Sequence, residues 1–175
     1  MLTPTQLEAI GRLTLAFNEI DEVVGANLAA IIECPEWSVS LLLAEGESFN
    51  RRTDLFRRVL DSIAAERPVV GPRIHSIQAL LQKALEVSKK RNEFIHAVEY
   101  VDYEKNERML RTKKKGIIPI VEQEIRDLAD QAYAIAYQLL TECGELGADL
   151  SALRWGVELD ADTDSIEDDD IEGIE

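Results

Sequence analysis

Apolar residues return every three or four positions along several long stretches of this chain, which predicts a protein built from amphipathic helices. Leu13, Phe17, Ile20, Val24, Leu28 and Ile31 form the first stripe. Thr3-Pro4-Thr5-Gln6 supplies its start: a threonine cap, a proline at the first helical position and a glutamine that closes a capping box. Cys34-Pro35 ends it, because proline restricts its predecessor and has no backbone N–H. A short apolar helix is predicted around Trp37–Glu45, with Gly46 as its stop. Ser48 is placed to cap a third helix striped by Arg52, Phe56, Val59 and Ile63, which Arg67-Pro68 breaks. Gly71-Pro72 opens a fourth, with Ile74, Ile77, Leu81, Ala84 and Leu85 facing inward.

The period then changes. Val98–Tyr103 is β-branched and aromatic, Lys105-Asn106 reads as a turn, and Arg108–Thr112 reads as a returning strand. A small hairpin is therefore expected over residues 98–112, followed by a basic loop at 113–116. Helical spacing resumes with Val121, Ile125, Leu128, Ala132, Ile135, Leu139 and Cys143, and Gly144 is the expected stop. A last short helix over Asp149–Trp155 is expected to pack Leu153 and Trp155 on the rest, with Trp37 a second packing anchor. The fold class this predicts is all-α: an antiparallel bundle of five to six helices with a small β-hairpin insertion. It forms one domain over residues 1–157, followed by a disordered acidic tail at 158–175.

Composition changes this picture in one place. The net charge of −15 argues against a nucleic-acid partner, but ten of the 34 acids lie in residues 158–175, which carry no base. The remaining 24 acids face 19 bases, so the body is only mildly acidic and leaves room for a local basic site. No apolar run reaches the roughly 18 residues of a membrane span, and the N-terminus lacks the pattern of a secretory signal. Cys34 and Cys143 fit neither a disulfide framework nor a metal cluster. The expected setting is the cytoplasm, without membrane, metal or cofactor.

The candidate chemistry sits in Arg91-Asn92-Glu93-Phe94-Ile95-His96, at the end of the fourth helix. Arginine clamps phosphate with paired hydrogen bonds, and histidine moves protons near neutral pH. Five helical residues turn about 500°, which leaves Arg91 and His96 roughly 140° apart, whereas Asn92 and His96 share a face. Arg91 therefore needs a cleft, best completed by a second subunit. The bland alternative pairs Arg91 with Glu86 or Glu93 on the surface. His75 is expected at the surface, and Arg51, Arg52, Arg57 and Arg58 on the outer face of the third helix. Asp160, Asp162 and Asp164 match the start of an EF-hand loop, but Ser165 and Ile171 stand where glycine and glutamate are required.

Arg91-Asn92-x3-His96, late in a long helix of an all-α bundle, resembles the Arg-x4-6-His motif of the HEPN superfamily, many of whose members are ribonuclease toxins or defence effectors. Val98 stands where the toxin branch paired with nucleotidyltransferases carries a tyrosine. The resemblance implies a homodimer that cleaves RNA without a metal. His96 would act as general base or acid, Arg91 would stabilise charge on the phosphate, and Asn92 would orient the imidazole or a phosphate oxygen. It also implies RNA as substrate and a protein regulator or antitoxin as partner. Lys89 and Lys90 beside the motif, and Lys113, Lys114 and Lys115 after the hairpin, are the candidate RNA contacts. The rival reading is a non-catalytic helical module that binds another protein.

Overall fold

The computed structural model describes residues 2–32, 47–102, 107–112, 116–119 and 121–156. Four long helices build the core: α1 (Pro4–Ile32), α2 (Phe49–Glu66), α3 (Gly71–Ile95) and α4 (Glu122–Arg154). A 3-10 turn, Pro68–Val70, joins α2 to α3. Between α3 and α4 lie strands β1 (Val98–Asp102), β2 (Glu107–Thr112) and β3 (Gly116–Pro119), antiparallel in that order. Val98 faces Arg111 across the first pair, and Thr112 faces Gly116 across the second.

The apolar stripes meet in one core. Leu13, Ile20 and Leu28 of α1, Phe56 and Leu60 of α2, Ile77 and Leu81 of α3, and Ile125, Leu139 and Leu146 of α4 are all fully buried. Each such side chain removed from water contributes about 1.5–3 kcal/mol, enough in sum to hold the helices together. The start of α1 forms as its sequence dictates. Gln6 N donates to Thr3 Oγ1 at 3.2 Å, and Thr3 N donates to Gln6 Oε1 at 3.0 Å, so two end donors of the helix are satisfied reciprocally.

Helix direction departs from a simple antiparallel bundle. Arg126 of α4 bridges Glu8 of α1 at 3.5 Å, and Cys143 and Leu150 share a cavity wall with Asn27 and Ile31. Later residues of α4 thus meet later residues of α1, and the two helices run parallel. The same holds for α2. Phe49 touches Phe17, Arg52 bridges Asp21, and Ile63 lies by Ile31. Only α3 runs the other way: Arg73 bridges Asp149, while Lys83 lies beside Gln138.

The helix count differs too, at four among the described residues. Gly144 does not end α4. The stripe Leu139, Cys143 and Leu146 continues past it into the core, and Arg73 pins Glu142, Glu145 and Asp149 along the flank. Burial works against the charge of Arg73, but the hydrogen bond and charge of Asp149, then those of Glu145, overcome it and raise its pKa above the ordinary value. The expected last short helix is therefore the end of α4. The helix stops at Arg154, where Gly156 takes the left-handed conformation (φ 74°) that glycine adopts without strain. Trp155, expected as a packing anchor, is 81% exposed just past that stop.

Three further expectations are corrected. The Ser48 side chain makes no capping hydrogen bond. Arg52 does not decorate an outer face: its side chain is 12% exposed and bridges Asp21, because α2 turns that flank onto α1. The stretch 113–116 does not end as a loop, since Gly116 opens β3 with φ 72°. Pro119 closes that strand at the sheet edge, where a missing N–H is tolerated. The expected hairpin over 98–112 falls on β1 and β2, while its turn, residues 103–106, lies outside the described residues, as do the helix expected at Trp37–Glu45, Lys113–Lys115 and the tail at 158–175.

Candidate functional site

The motif residues occupy the last turn of α3. Phe94 packs against the core and anchors the turn from inside. The helix closes at Ile95, and His96 is the residue that follows, its backbone N donating to Asn92 O at 3.1 Å. Ala97 N then reaches Phe94 O at 3.4 Å, and β1 begins at Val98. The motif thus sits where the bundle gives way to the sheet, and β2 lies against α3 there.

Arg91 does not point out with its neighbours. Lys89, Lys90, Asn92 and His96 are exposed, whereas Arg91 is half-buried. Its guanidinium carbon lies 5.2 Å from the centroid of the Phe17 ring on α1. Phe49, the first residue of α2, meets that ring edge-on, with centroids 5.0 Å apart and planes at 71°. A cation over an aromatic face is held by the ring quadrupole, worth about 0.5–2 kcal/mol as water is excluded. Arg91 Nη1 donates to Asn92 Oδ1 at 3.0 Å, while its buried Nε finds no hydrogen-bond partner. An unsatisfied buried donor costs about 1–3 kcal/mol, comparable to what the ring contributes. The site holds Arg91 in a defined place without stabilising the fold through it.

The three motif residues are therefore only partly brought together. Arg91 and Asn92 form a hydrogen-bonded pair. Asn92 and His96 share an exposed face four residues apart, but the Asn92 oxygen expected to orient the imidazole is engaged by Arg91. The His96 side chain has no hydrogen-bond or ion-pair partner among the described residues. Lys89 and Lys90 flank the pair as exposed positive charges.

Phe17 and Phe49 are the members of the site that the sequence did not single out. Phe17 reads as one more step in the α1 stripe, and Phe49 as the first apolar residue after a cap. Nothing local indicates that the two rings back an arginine from a third helix.

Among the described residues, no group of three or more His, Cys, Asp or Glu side chains could hold a metal ion, and no helix is long and apolar enough to cross a membrane. Comparison with family models, curated proteins and solved structures gave no match to this chain.

Proposed function

We propose that the chain is a HEPN-like endoribonuclease that works as a homodimer, with Arg91, Asn92 and His96 of each subunit facing one RNA-binding cleft. The observation that carries this reading is the division of labour in the last turn of α3. Arg91 is fixed on the Phe17 ring and on Asn92, while His96 is exposed with no partner competing for its ring. A catalytic arginine needs a fixed place, and a catalytic histidine needs an open one.

In the proposed reaction His96 takes the proton from a ribose 2′-hydroxyl. The 2′-oxygen attacks the adjacent phosphorus, and the bond to the 5′-oxygen of the next nucleotide breaks. The leaving oxygen gains a proton from the second imidazole of the cleft, or from His96 acting in its acid form. Arg91 neutralises charge that builds on the non-bridging phosphate oxygens, and Asn92 keeps the guanidinium turned toward them. Lys89 and Lys90, with Lys113, Lys114 and Lys115 beyond the described strand ends, supply phosphate contacts. A protein regulator or antitoxin would act by covering this cleft.

The test is RNA cleavage by wild type beside His96→Ala and Arg91→Met. Loss of general acid–base catalysis at His96 costs about 10²–10⁴ in rate, and loss of a charge-stabilising donor at Arg91 about 10²–10³, so both variants should fall at least a hundredfold while remaining folded. Equal residual activity in all three would mean contamination and would remove the catalytic claim. Sedimentation must also show a dimer at the assay concentration.

A second reading, a non-catalytic module that binds another protein, is favoured by one surface. Tyr133, Tyr137 and Leu140 are 39%, 73% and 56% exposed at helical spacing on α4. Aromatic residues exposed in a row are typical of protein-binding surfaces. A folded protein that lacks cleavage and loses a bound protein partner on Tyr137→Lys would select this reading.

A further inference from the structure

The parallel helices α1 and α4 border a groove on their outer side. Arg12 bridges Asp130 at 2.5 Å and Arg126 bridges Glu8, so residues 118 apart in the chain lie level on the two helices. From the Arg12–Asp130 bridge, each helix carries a row of exposed positions at alternating steps of three and four. On α1 the row is Leu15, Glu19, Glu22 and Ala26; on α4 it is Tyr133, Tyr137, Leu140 and Gly144. Residues at that spacing share a face, so the two rows run side by side for about 16 Å at the helical rise. Further along, Ala30 and Gly147 still line one cavity, which keeps the helices adjacent beyond the rows.

The rows combine exposed apolar groups with free acids. Leu15, 61% exposed, joins Tyr133, Tyr137 and Leu140 in one patch across the two helices. Ala26 and Gly144 are small, and a Cβ added at Gly144 would meet nothing within 4 Å, so a partner's backbone can approach there. Glu19 and Glu22 have no hydrogen-bond or ion-pair partner among the described residues. Arg12 is engaged by Asp130, and neither residues 13–32 nor residues 127–153 contain a lysine or an arginine. The positive charge that would complement Glu19 and Glu22 must therefore come from outside these two helices.

We propose that this groove binds a basic amphipathic helix of another protein. Its apolar stripe packs on Leu15, Tyr133, Tyr137 and Leu140, and its lysine or arginine side chains lie beside Glu19 and Glu22. Alternating steps of three and four are the spacing of a coiled-coil seam, where apolar positions pack and flanking charges select the partner. The tyrosine rings also offer faces to a cation, and a net charge of −15 draws a basic partner in from a distance. A second copy of this chain is disfavoured on the same ground, because it would set carboxylates against carboxylates. The proposal rests on the protein-binding reading of the α4 surface and is independent of RNA cleavage. The α3 helix packs on another flank of α4, where Arg73 bridges Glu142, Glu145 and Asp149.

The test uses the full chain and three fluorescent helical peptides of about three heptads, followed by anisotropy. One carries leucine at a and d with lysine at e and g, the second has glutamate at e and g instead, and the third is a shuffled form of the first. The lysine peptide should bind one to one, about tenfold or more tighter than the shuffled form of equal charge. Tyr137→Ala combined with Leu140→Ala keeps the net charge and should weaken binding about tenfold or more, as truncating buried anchors does. Both side chains are exposed and alanine favours helix, so that variant should melt no lower than wild type. Glu19→Gln with Glu22→Gln should weaken binding at low salt and have much less effect at high salt. The proposal is overturned if the lysine peptide does not bind, if the shuffled form binds equally, or if the Tyr137/Leu140 variant binds as wild type does. Tight binding of the glutamate peptide that the same variant removes would leave a protein-binding surface but overturn the basic partner. Self-association lost in that variant would assign the face to a second copy and overturn the proposal as well.

Discussion

Replacing Gly144 and Gly147 with alanine would test whether α4 is one helix or two. Sequence pattern alone places a stop at Gly144, whereas the structure carries a single helix from Glu122 to Arg154. The magnitude follows from the local geometry. Glycine within a helix costs about 0.8–1 kcal/mol relative to alanine, because its backbone loses more freedom on ordering. At both positions an added Cβ meets nothing within 4 Å, so no clash offsets the gain. Neither residue has the positive φ that would strain an L side chain, unlike Gly116 and Gly156. The double variant should therefore gain about 2 kcal/mol, and at about 2–4 °C per kcal/mol for a chain of this size the Tm should rise by roughly 4–8 °C. Thermal melts followed by circular dichroism at 222 nm give the shift. Urea unfolding should show a higher midpoint at an unchanged slope. An unchanged or lowered Tm would refute the continuous helix, because a glycine that ends a helix in the left-handed conformation loses stability when it gains a Cβ.

Two further outcomes follow from the same structure. Phe17→Leu removes the ring that holds Arg91 and that Phe49 meets edge-on, and should cost about 2 kcal/mol in urea unfolding, from aromatic pair and cation–π terms together; a loss below about 0.5 kcal/mol would show that the stack carries no energy. Cys143 has its folded pKa raised from 9.0 to about 12, by burial and then by Glu142. The unfolded chain therefore releases that proton first, and the stability contributed by the neutral buried thiol is complete below pH 9.0 and lost as pH rises from there toward 12. In a Cys34→Ser background, stability should fall over that window and the fall should diminish in Cys143→Ala. A pH profile identical in the two proteins would contradict the buried thiol.

Local signals reported local events faithfully. The Thr3–Gln6 capping box forms with both of its hydrogen bonds, because every group in it lies within one turn. Leu13, Ile20, Val24 and Leu28 are buried as their spacing requires, since the face of a helix is a property of the helix alone. Gly144 does not stop α4, because a glycine ends a helix only when nothing beyond it gains by continuing. Leu146 and the Arg73 bridges to Glu145 and Asp149 supply that gain from across the bundle. Trp155 is exposed for the converse reason. Its size predicts burial, but it falls past the end of α4, where no neighbouring helix reaches it.

The motif shows the same boundary. Its composition and its place at the end of a long helix were legible from Arg91-Asn92-x3-His96, as was the angular separation that keeps Arg91 and His96 off one face. The resting place of Arg91 was not. That depends on α1 and α2 running parallel, so that Phe17 and Phe49 reach the level of the last turn of α3 together.

By itself the sequence determined where the long helices of the core lie and which face of each is apolar. These follow from intervals of three or four residues and from capping groups one turn apart. Only the tertiary structure decided the direction of each helix, the length of α4, and the burial of Arg91 against an aromatic ring. Those outcomes rest on contacts between residues far apart in the chain, where many pairings satisfy the same periodicity and only packing in three dimensions selects among them.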